Sequence, residues 1–527
     1  MTSTRVSPTV VRRVALATAT IVLALGASKL VGFVREILVA SVFGTGFAAD
    51  SFMAANEVPE QIFVLISAGA ISSAFIPVLS GLLQKEDRRE ASRLASAILT
   101  LTFIVGIILA TLVALFAEPI VVQTVGRGFD PQRRQLTIEV LRIILLSFVL
   151  FGVGGVFQGI LNAHQHFLLP AIAPVLHNTG IIIGALFFAP RWGIHGLAWG
   201  VVLGSVLYVL VQVPGLYHYG LRYRPQLGLS NPEVLQVGRL VVPRVISLGL
   251  FELTTFVNAT LASSLAVGSI TALRYGWSLM QLPETLFATT VGQAVFPTLA
   301  EMANNRRYSE LRSTMAGTLR AIFTLTVPSA VGLIVLGRPM VQTVFERGAF
   351  NADSTNLVVW ALQCWALGLV GHSSLEVVAR TFYAMKDTVT PFRVAAGAFV
   401  VNLALALWLR GPLGVGGLAL ANSIAFTAQV LVLLWLLRRR LEGIEGGRLL
   451  SGLARIVVSA LAMGAVVLLV TRVLGGQRPY VVAAAGGLAG VVVYVGLIYA
   501  LGLDEARLLP RLVRQRLQRR AAVAAGD

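Results

Sequence analysis

Charge is what this chain has least of. Only 13% of its 527 residues are Asp, Glu, Lys or Arg, about half the share of an average soluble protein. Histidine is scarce, with six scattered copies, and the single cysteine, Cys364, lies in an apolar stretch. One cysteine excludes a disulfide framework and a thiolate metal site, so Cys364 is expected as a small buried apolar residue. The sequence also lacks GxxxxGK[ST], HExxH and CxxC, which leaves ATP hydrolysis and bound zinc without support. No cytoplasmic loop carries the acidic cluster with which a membrane transferase holds a divalent metal. GTGFAA at 44–49 loosely imitates a dinucleotide fingerprint, but it sits between two apolar spans with no strand before it. The chain is expected not to be an enzyme and to need no cofactor.

Apolar residues fill the space that charge leaves. They make up 56% of the chain, and the mean hydropathy is +0.81. The composition predicts an all-α polytopic membrane protein. Spans of about 20 residues or more fall near 13–42, 49–83, 92–117, 135–162, 168–189, 194–216, 234–266, 269–301, 311–337, 355–384, 390–410, 414–437, 451–473 and 479–502. That is about fourteen transmembrane helices, several long enough to be tilted or bent. The first apolar run is too long for a cleavable signal peptide and lacks a small-residue cleavage site.

The net charge of +18 does not point to nucleic acid, because the basic residues cluster in short connections and at the ends. Lys85, Arg88, Arg89 and Arg93 follow span 2, Arg306, Arg307 and Arg312 follow span 8, and Arg438, Arg439 and Arg440 follow span 12. With an even number of spans these loops share a side with both termini. The positive-inside rule makes that side cytoplasmic. The basic stretch 507–520 reads as an interfacial, lipid-binding helix.

The chain repeats itself. EPIVVQTVGRGF (118–129) is echoed by RPMVQTVFERGAF (338–350), and GIHGLAWG (193–200) by GVGGLALA (414–421). Pro170 matches Pro391, and Pro59 matches Pro283. An offset of about 220 residues holding across several motifs is the mark of an internally duplicated transporter. Six helices per copy make the two repeats parallel, with two further helices at the C-terminal end. The expected organisation is a six-helix lobe at 1–217, a second at 218–440, helices 13 and 14 at 441–503, and a basic cytoplasmic tail at 504–527.

Charges inside the apolar spans are the candidate functional residues. An ionised group at the bilayer centre costs at least ~2.5–3.5 kcal/mol, so such residues face a cavity or a partner. Lys29 and Arg35 in span 1 suggest a polar chamber for an anion, with snorkelling to the interface as the alternative. Asp50, Glu57 and Glu60 follow in span 2. Asp50 is read as a cavity carboxylate or a helix N-cap. Glu57 and Glu60 flank Pro59, where a broken helix would expose them. The second repeat contributes Arg274, Glu284, Glu376 and Arg380, the last two read as an i,i+4 salt bridge. Asn258, Asn402 and Asn422 are a candidate monovalent-cation site or interhelical hydrogen-bonding amides.

The order SKLVGFVRE (28–36), FGTGFAADSF (43–52), Pro59 and GAISSAFIP (69–77) resembles the MurJ/MviN family. These are lipid II flippases within the multidrug/oligosaccharidyl-lipid/polysaccharide exporter superfamily. The resemblance implies a cavity between two six-helix lobes that opens alternately to either side, and a groove from helices 13 and 14 for a polyprenyl tail. Lys29 stands where the family usually has arginine, Arg35 matches a cavity arginine, and Asp50 matches the acidic residue of helix 2. The departures are Phe63 for a cavity arginine, Ala68 for an acidic residue, and Ser278 for the helix 8 arginine, with Arg274 one turn earlier. Ala406 replaces an acidic sodium ligand near Asn402.

From this resemblance the chain is expected to move lipid II, the undecaprenyl-pyrophosphate-linked peptidoglycan precursor, from the cytoplasmic to the outer leaflet of the bacterial cytoplasmic membrane. Coupling to membrane potential or a monovalent cation would drive it. Membrane lipids and cell-wall synthesis proteins are the expected partners, with no nucleic acid. The alternatives are an exporter of another polyprenyl-linked glycan or amphiphile, and a non-transporting cell-wall scaffold.

Overall fold

The computed structural model describes residues 8–64 and 72–502, and within them the chain is helical with short connections. Each expected span coincides with one helix or with consecutive helical segments. Ten of the described helices are long and apolar enough to cross a membrane. Beside these stand two long helices, Pro8–Phe43 of 36 residues and Pro232–Ala262 of 31; the remaining described helices are shorter segments or are broken, as at 269–304, where a π-helical turn interrupts the run. The basic stretch 507–520 and Ala68 lie outside the described residues.

Local chemistry sets the ends of the helices. Asp130 caps the helix Pro131–Ala163 by accepting from the Arg133 amide at 3.0 Å, with Pro131 in the first turn. Proline costs nothing there, because its missing N–H would be unpaired anyway. Asn351 caps Ala352–Ala384 in the same way, through the Ser354 amide at 2.9 Å. Gly193 and Gly414 both have φ of +55° and both open the following helix, Ile194–Leu210 and Val415–Arg440. Each pair is 221 residues apart. The duplication is therefore preserved at the level of these backbone turns.

Packing divides the chain into two compact units, one of residues 1–271 with 347–350, the other of 272–346 with 351–527. The break in packing falls after Thr271. The helix Pro232–Ala262 belongs with the first unit, packing on the helices Phe47–Phe63, Ser72–Gln84 and Arg88–Leu115. The connection before it is also bound there, where the Arg224 amide donates to Ser96 Oγ at 3.2 Å. The first unit has a core around Phe75, Leu79, Leu94, Ile160 and Leu161. In the second unit the core includes Leu319, Ile322, Phe382 and Leu433. The last two helices, Gly446–Val473 and Pro479–Ala500, pack on Tyr308–Phe345, and Tyr494 Oη donates to the Thr324 carbonyl at 2.7 Å.

Candidate functional site

In the first unit the helix Pro8–Phe43 carries both Lys29 and Arg35, and the two part company. At 3.6 residues per turn, six residues place them about 120° apart around the axis. Lys29 is exposed, whereas Arg35 is half-buried. Arg35 Nη1 donates to Asn178 Oδ1 at 3.0 Å, and Nη2 reaches Glu36 Oε1 at 3.3 Å. Asn178 comes from the helix Leu168–Ile183 and is itself buried. An amide oxygen orients the guanidinium without neutralising it, and the Glu36 contact is long. Arg35 is thus oriented by the Asn178 amide and ion-paired with its chain neighbour Glu36.

Aromatic rings stand beside this group. Phe63 packs on Phe151 at 5.1 Å between centroids, and Phe151 meets His177 edge-on at 4.5 Å. The position that departs from the family's arginine thus belongs to an aromatic cluster that includes Asn178's neighbour, His177.

Asp50 has a different role from the one expected. The helix Phe47–Phe63 is capped at Gly46, so Asp50 lies a turn inside and is not its N-cap. Nor does it line a cavity, being 1% exposed. Its Oδ2 accepts from Arg133 Nη2 at 3.0 Å and from the Gly268 amide at 2.7 Å. Its Oδ1 accepts from the Thr271 amide at 3.0 Å and the Thr271 hydroxyl at 2.7 Å. Those amides begin the helix Ser269–Pro283, where unpaired N–H groups and the helix dipole favour an anion. Arg133 is 5% exposed and lies 3.9 Å over the Phe129 ring. A buried ion pair with this many extra donors meets the condition under which such pairs hold together.

Pro59 does not break its helix, which continues to Phe63. Accordingly Glu57 is buried, accepting from Gln61 Nε2 at 2.7 Å. Glu60, half-buried, accepts from Asn56 Nδ2 at 3.0 Å. Both expected cavity carboxylates thus make local contacts along their own helix.

The second unit places Arg274 and Ser278 one turn apart on the helix Ser269–Pro283, both half-buried. Glu376 and Arg380 form the expected ion pair on the helix Ala352–Ala384. Of the three amides, Asn402 and Asn422 are in this unit and Asn258 is in the first. All three are buried. Asn422 Oδ1 lies 3.1 Å from His372 Nε2, and the His372 ring stacks on Phe426 at 4.1 Å. Interhelical hydrogen bonding therefore accounts for Asn422. Among the described residues no group of three or more His, Cys, Asp or Glu is arranged to hold a metal ion.

Arg133, Asn178 and His372 went unmarked in the sequence. Arg133 follows Asp130 and Pro131 and reads as the first turn of a helix. Its partner Asp50 is 83 residues away, a separation that no local pattern bridges.

A duplicated, all-helical membrane protein with a half-buried arginine in an amide and aromatic setting has the build of a carrier for anionic cargo. The family model described as "Lipid II flippase MurJ" matches residues 39–484. The lipid II flippase MurJ of Burkholderia cenocepacia is 31% identical over 423 residues, 78% of this chain and 81% of that protein. The probable lipid II flippase MurJ of Bdellovibrio bacteriovorus is 30% identical over 495 residues, 92% and 94% of the two chains. A solved structure described as lipid II flippase MurJ in an inward closed conformation superposes with a TM-score of 0.79 at 25% identity. It covers 92% of this chain and 99% of its own. An inward-facing multidrug resistance transporter of the MOP superfamily shares the fold alone, with a TM-score of 0.69 at 15% identity. This chain belongs to the MurJ lipid II flippase family.

Proposed function

We propose that this protein is a lipid II flippase of the bacterial inner membrane, carrying the precursor from the cytoplasmic to the outer leaflet by alternating access. The reading is carried by the likeness to a solved lipid II flippase along 92% of the chain. It is a multi-pass transporter and not an enzyme, and its substrate is a lipid-linked glycan. The headgroup of lipid II bears a pyrophosphate and carboxylates, which guanidinium and ammonium groups in a low-dielectric site recognise by charge-assisted hydrogen bonds.

Arg35 is the first such group. Asn178 holds its guanidinium in place, so less side-chain freedom is lost on binding. Lys29, exposed on another face of the same helix, meets the headgroup at a different stage of its passage. Arg274, with Ser278 one turn away, supplies the cation and hydroxyl of the second repeat. Asp50 acts by bracing: its donors Arg133, Gly268 and Thr271 tie the helix Phe47–Phe63 to the helix Pro131–Ala163 and to the segment Gly268–Thr271. Glu57 and Glu60 set the local field on the helix Phe47–Phe63.

The basic loops support a cytoplasmic position for both termini. The last two helices offer a lipid-facing apolar surface, with Val458, Leu461, Leu469 and Leu488 all exposed, which suits the polyprenyl tail. Membrane potential drives the cycle, since moving one charge is worth ~2.3 kcal/mol per 100 mV. Asn402 has Ala406 one turn on and no carboxylate there, so this reading needs no bound sodium. The basic cytoplasmic loops are the surface for cell-wall synthesis proteins.

The test is complementation of a strain depleted of its own lipid II flippase. Wild type restores growth, and Arg35→Ala, expressed at the same level in the membrane, does not. Failure of well-expressed wild type to rescue would sink the assignment of lipid II as cargo.

A further inference from the structure

The helices Leu168–Ile183, extended by a π-helical turn and a short segment to Trp192, and Ile194–Leu210 meet backbone to backbone. A Cβ on Gly180 would stand 2.3 Å from Gly204 Cα, and one on Gly184 would stand 2.5 Å from Gly200 Cα. With no side chains at the contact line, the large residues on its outer side rise as two walls. Phe188 and Trp192 form one wall, and His195, Trp199, Leu203 and Val206 the other. Between them is an open groove of about 730 Å³, within the range of small-ligand sites. Trp192 is 57% exposed and Trp199 42% exposed.

The groove has a charged mouth. Exposed Arg191 precedes Trp192, and His195 Nε2 lies 3.0 Å from Glu139 Oε2. Arg142 stands close enough to Glu139 to act on its charge. Arg191, next to the lining residue Trp192, brings positive charge to this edge of the groove.

The second repeat shows what this region looks like when the chain closes it itself. The positions 221 residues after Glu139, Trp192 and His195 are Trp360, Leu413 and Gly416. There the Trp360 indole donates to the Leu413 carbonyl at 2.9 Å and lies against Gly416. In the first repeat a carboxylate replaces that indole and the groove stays open.

We propose that the groove binds one acidic glycerophospholipid of the outer leaflet, an acyl chain between the aromatic walls and the phosphate at Arg191. This rests on the membrane orientation given above, which puts the turn at 190–193 on the outer side. Tryptophans at that depth belong to the interfacial aromatic belt. Arg191 supplies the charge complementarity for a phosphodiester, and the apolar walls suit a hydrocarbon chain. The lipid serves as an outer-leaflet strap for the first repeat and takes no part in headgroup transfer.

The test uses the full chain in phosphatidylcholine nanodiscs containing a few mole per cent of phosphatidylglycerol brominated on its acyl chain, with tryptophan fluorescence as the readout. Brominated phosphatidylglycerol should quench more than brominated phosphatidylcholine at the same fraction. The excess should vanish in Trp192→Phe/Trp199→Phe, and Arg191→Gln should weaken it about fivefold in apparent affinity, one arginine's electrostatic share. Equal quenching by the two lipids, or an excess that survives loss of both tryptophans, would overturn the proposal. So would displacement of the excess by a few equivalents of undecaprenyl phosphate, which would assign the groove to the substrate's tail. No transport is required for this readout, so its failure leaves the flippase reading untouched.

Discussion

At the scale of single residues, Asp50 and Arg133 are vulnerable to substitution because they are an ion pair held almost wholly out of solvent, at 1% and 5% exposed. Asp50→Asn removes the charge that Arg133 needs and places an amide N–H among donors. Breaking a buried pair from one side costs about 3–5 kcal/mol, so the variant's thermal midpoint in detergent should fall sharply. A midpoint within a degree or two of wild type would show that the pair is not structural. Asp387, in the connection before the helix Val389–Leu413, gives a pH handle outside the spans. Burial pushes its carboxyl up, but the Thr390 hydroxyl and amide and the Arg440 guanidinium together hold it below its ordinary value. A carboxyl whose folded pKa is depressed stabilises fully above the unfolded value, near ~3.9, and that share is lost as pH falls through the folded value. Wild type should therefore hold a stability lead over Asp387→Asn at neutral pH, and the lead should start to shrink below about pH 4. A lead that stays constant as pH falls further below that value would contradict the coupling.

At the scale of elements, hydrophobic length alone placed the helices, because a span must stay apolar for about 20 residues whatever it packs against. The expected span 135–162 lies within Pro131–Ala163, and 390–410 within Val389–Leu413. Breaks were less legible. Pro59 suggested one, yet the helix passes through it, while the π-helical turn at Glu284–Thr289 carries no mark beyond the adjacent Pro283. The reason is that a proline removes one hydrogen bond, and whether the helix bends there depends on what packs around it. Glu57 shows the consequence: read as exposed by a break, it is buried beside Gln61. Close contact between helices is likewise set by partners distant in sequence. A Cβ on Gly204 would lie 2.3 Å from the His177 carbonyl oxygen. Gly204→Val should cost about 1–3 kcal/mol by overpacking, measured as a lower unfolding midpoint. Gly397→Ala, at a position with open space around it, should not.

At the scale of the whole molecule, the duplication and the membrane class were plain from composition and motif spacing. Gly193 and Gly414 keep one backbone conformation 221 residues apart. The candidate site was legible in part. Arg35 stands out because a cation in an apolar span has few uses, but its partner Asn178, 143 residues on, could be known only from the fold. Asp50 was visible as an intramembrane acid, and its bracing role was not, since the donors come from two distant segments, at Arg133 and at Gly268–Thr271. The central claim is that this chain carries lipid II and that Arg35 recognises its anionic headgroup. The most direct measurement reconstitutes the protein in vesicles holding lipid II with a fluorescent headgroup, and follows access of a membrane-impermeant quencher to the far leaflet. Wild type should move lipid II across, and Arg35→Ala should do so at least about tenfold more slowly, the loss of one charge-assisted hydrogen bond. Transport at the same rate by both proteins, or none above protein-free vesicles by wild type, would contradict the account.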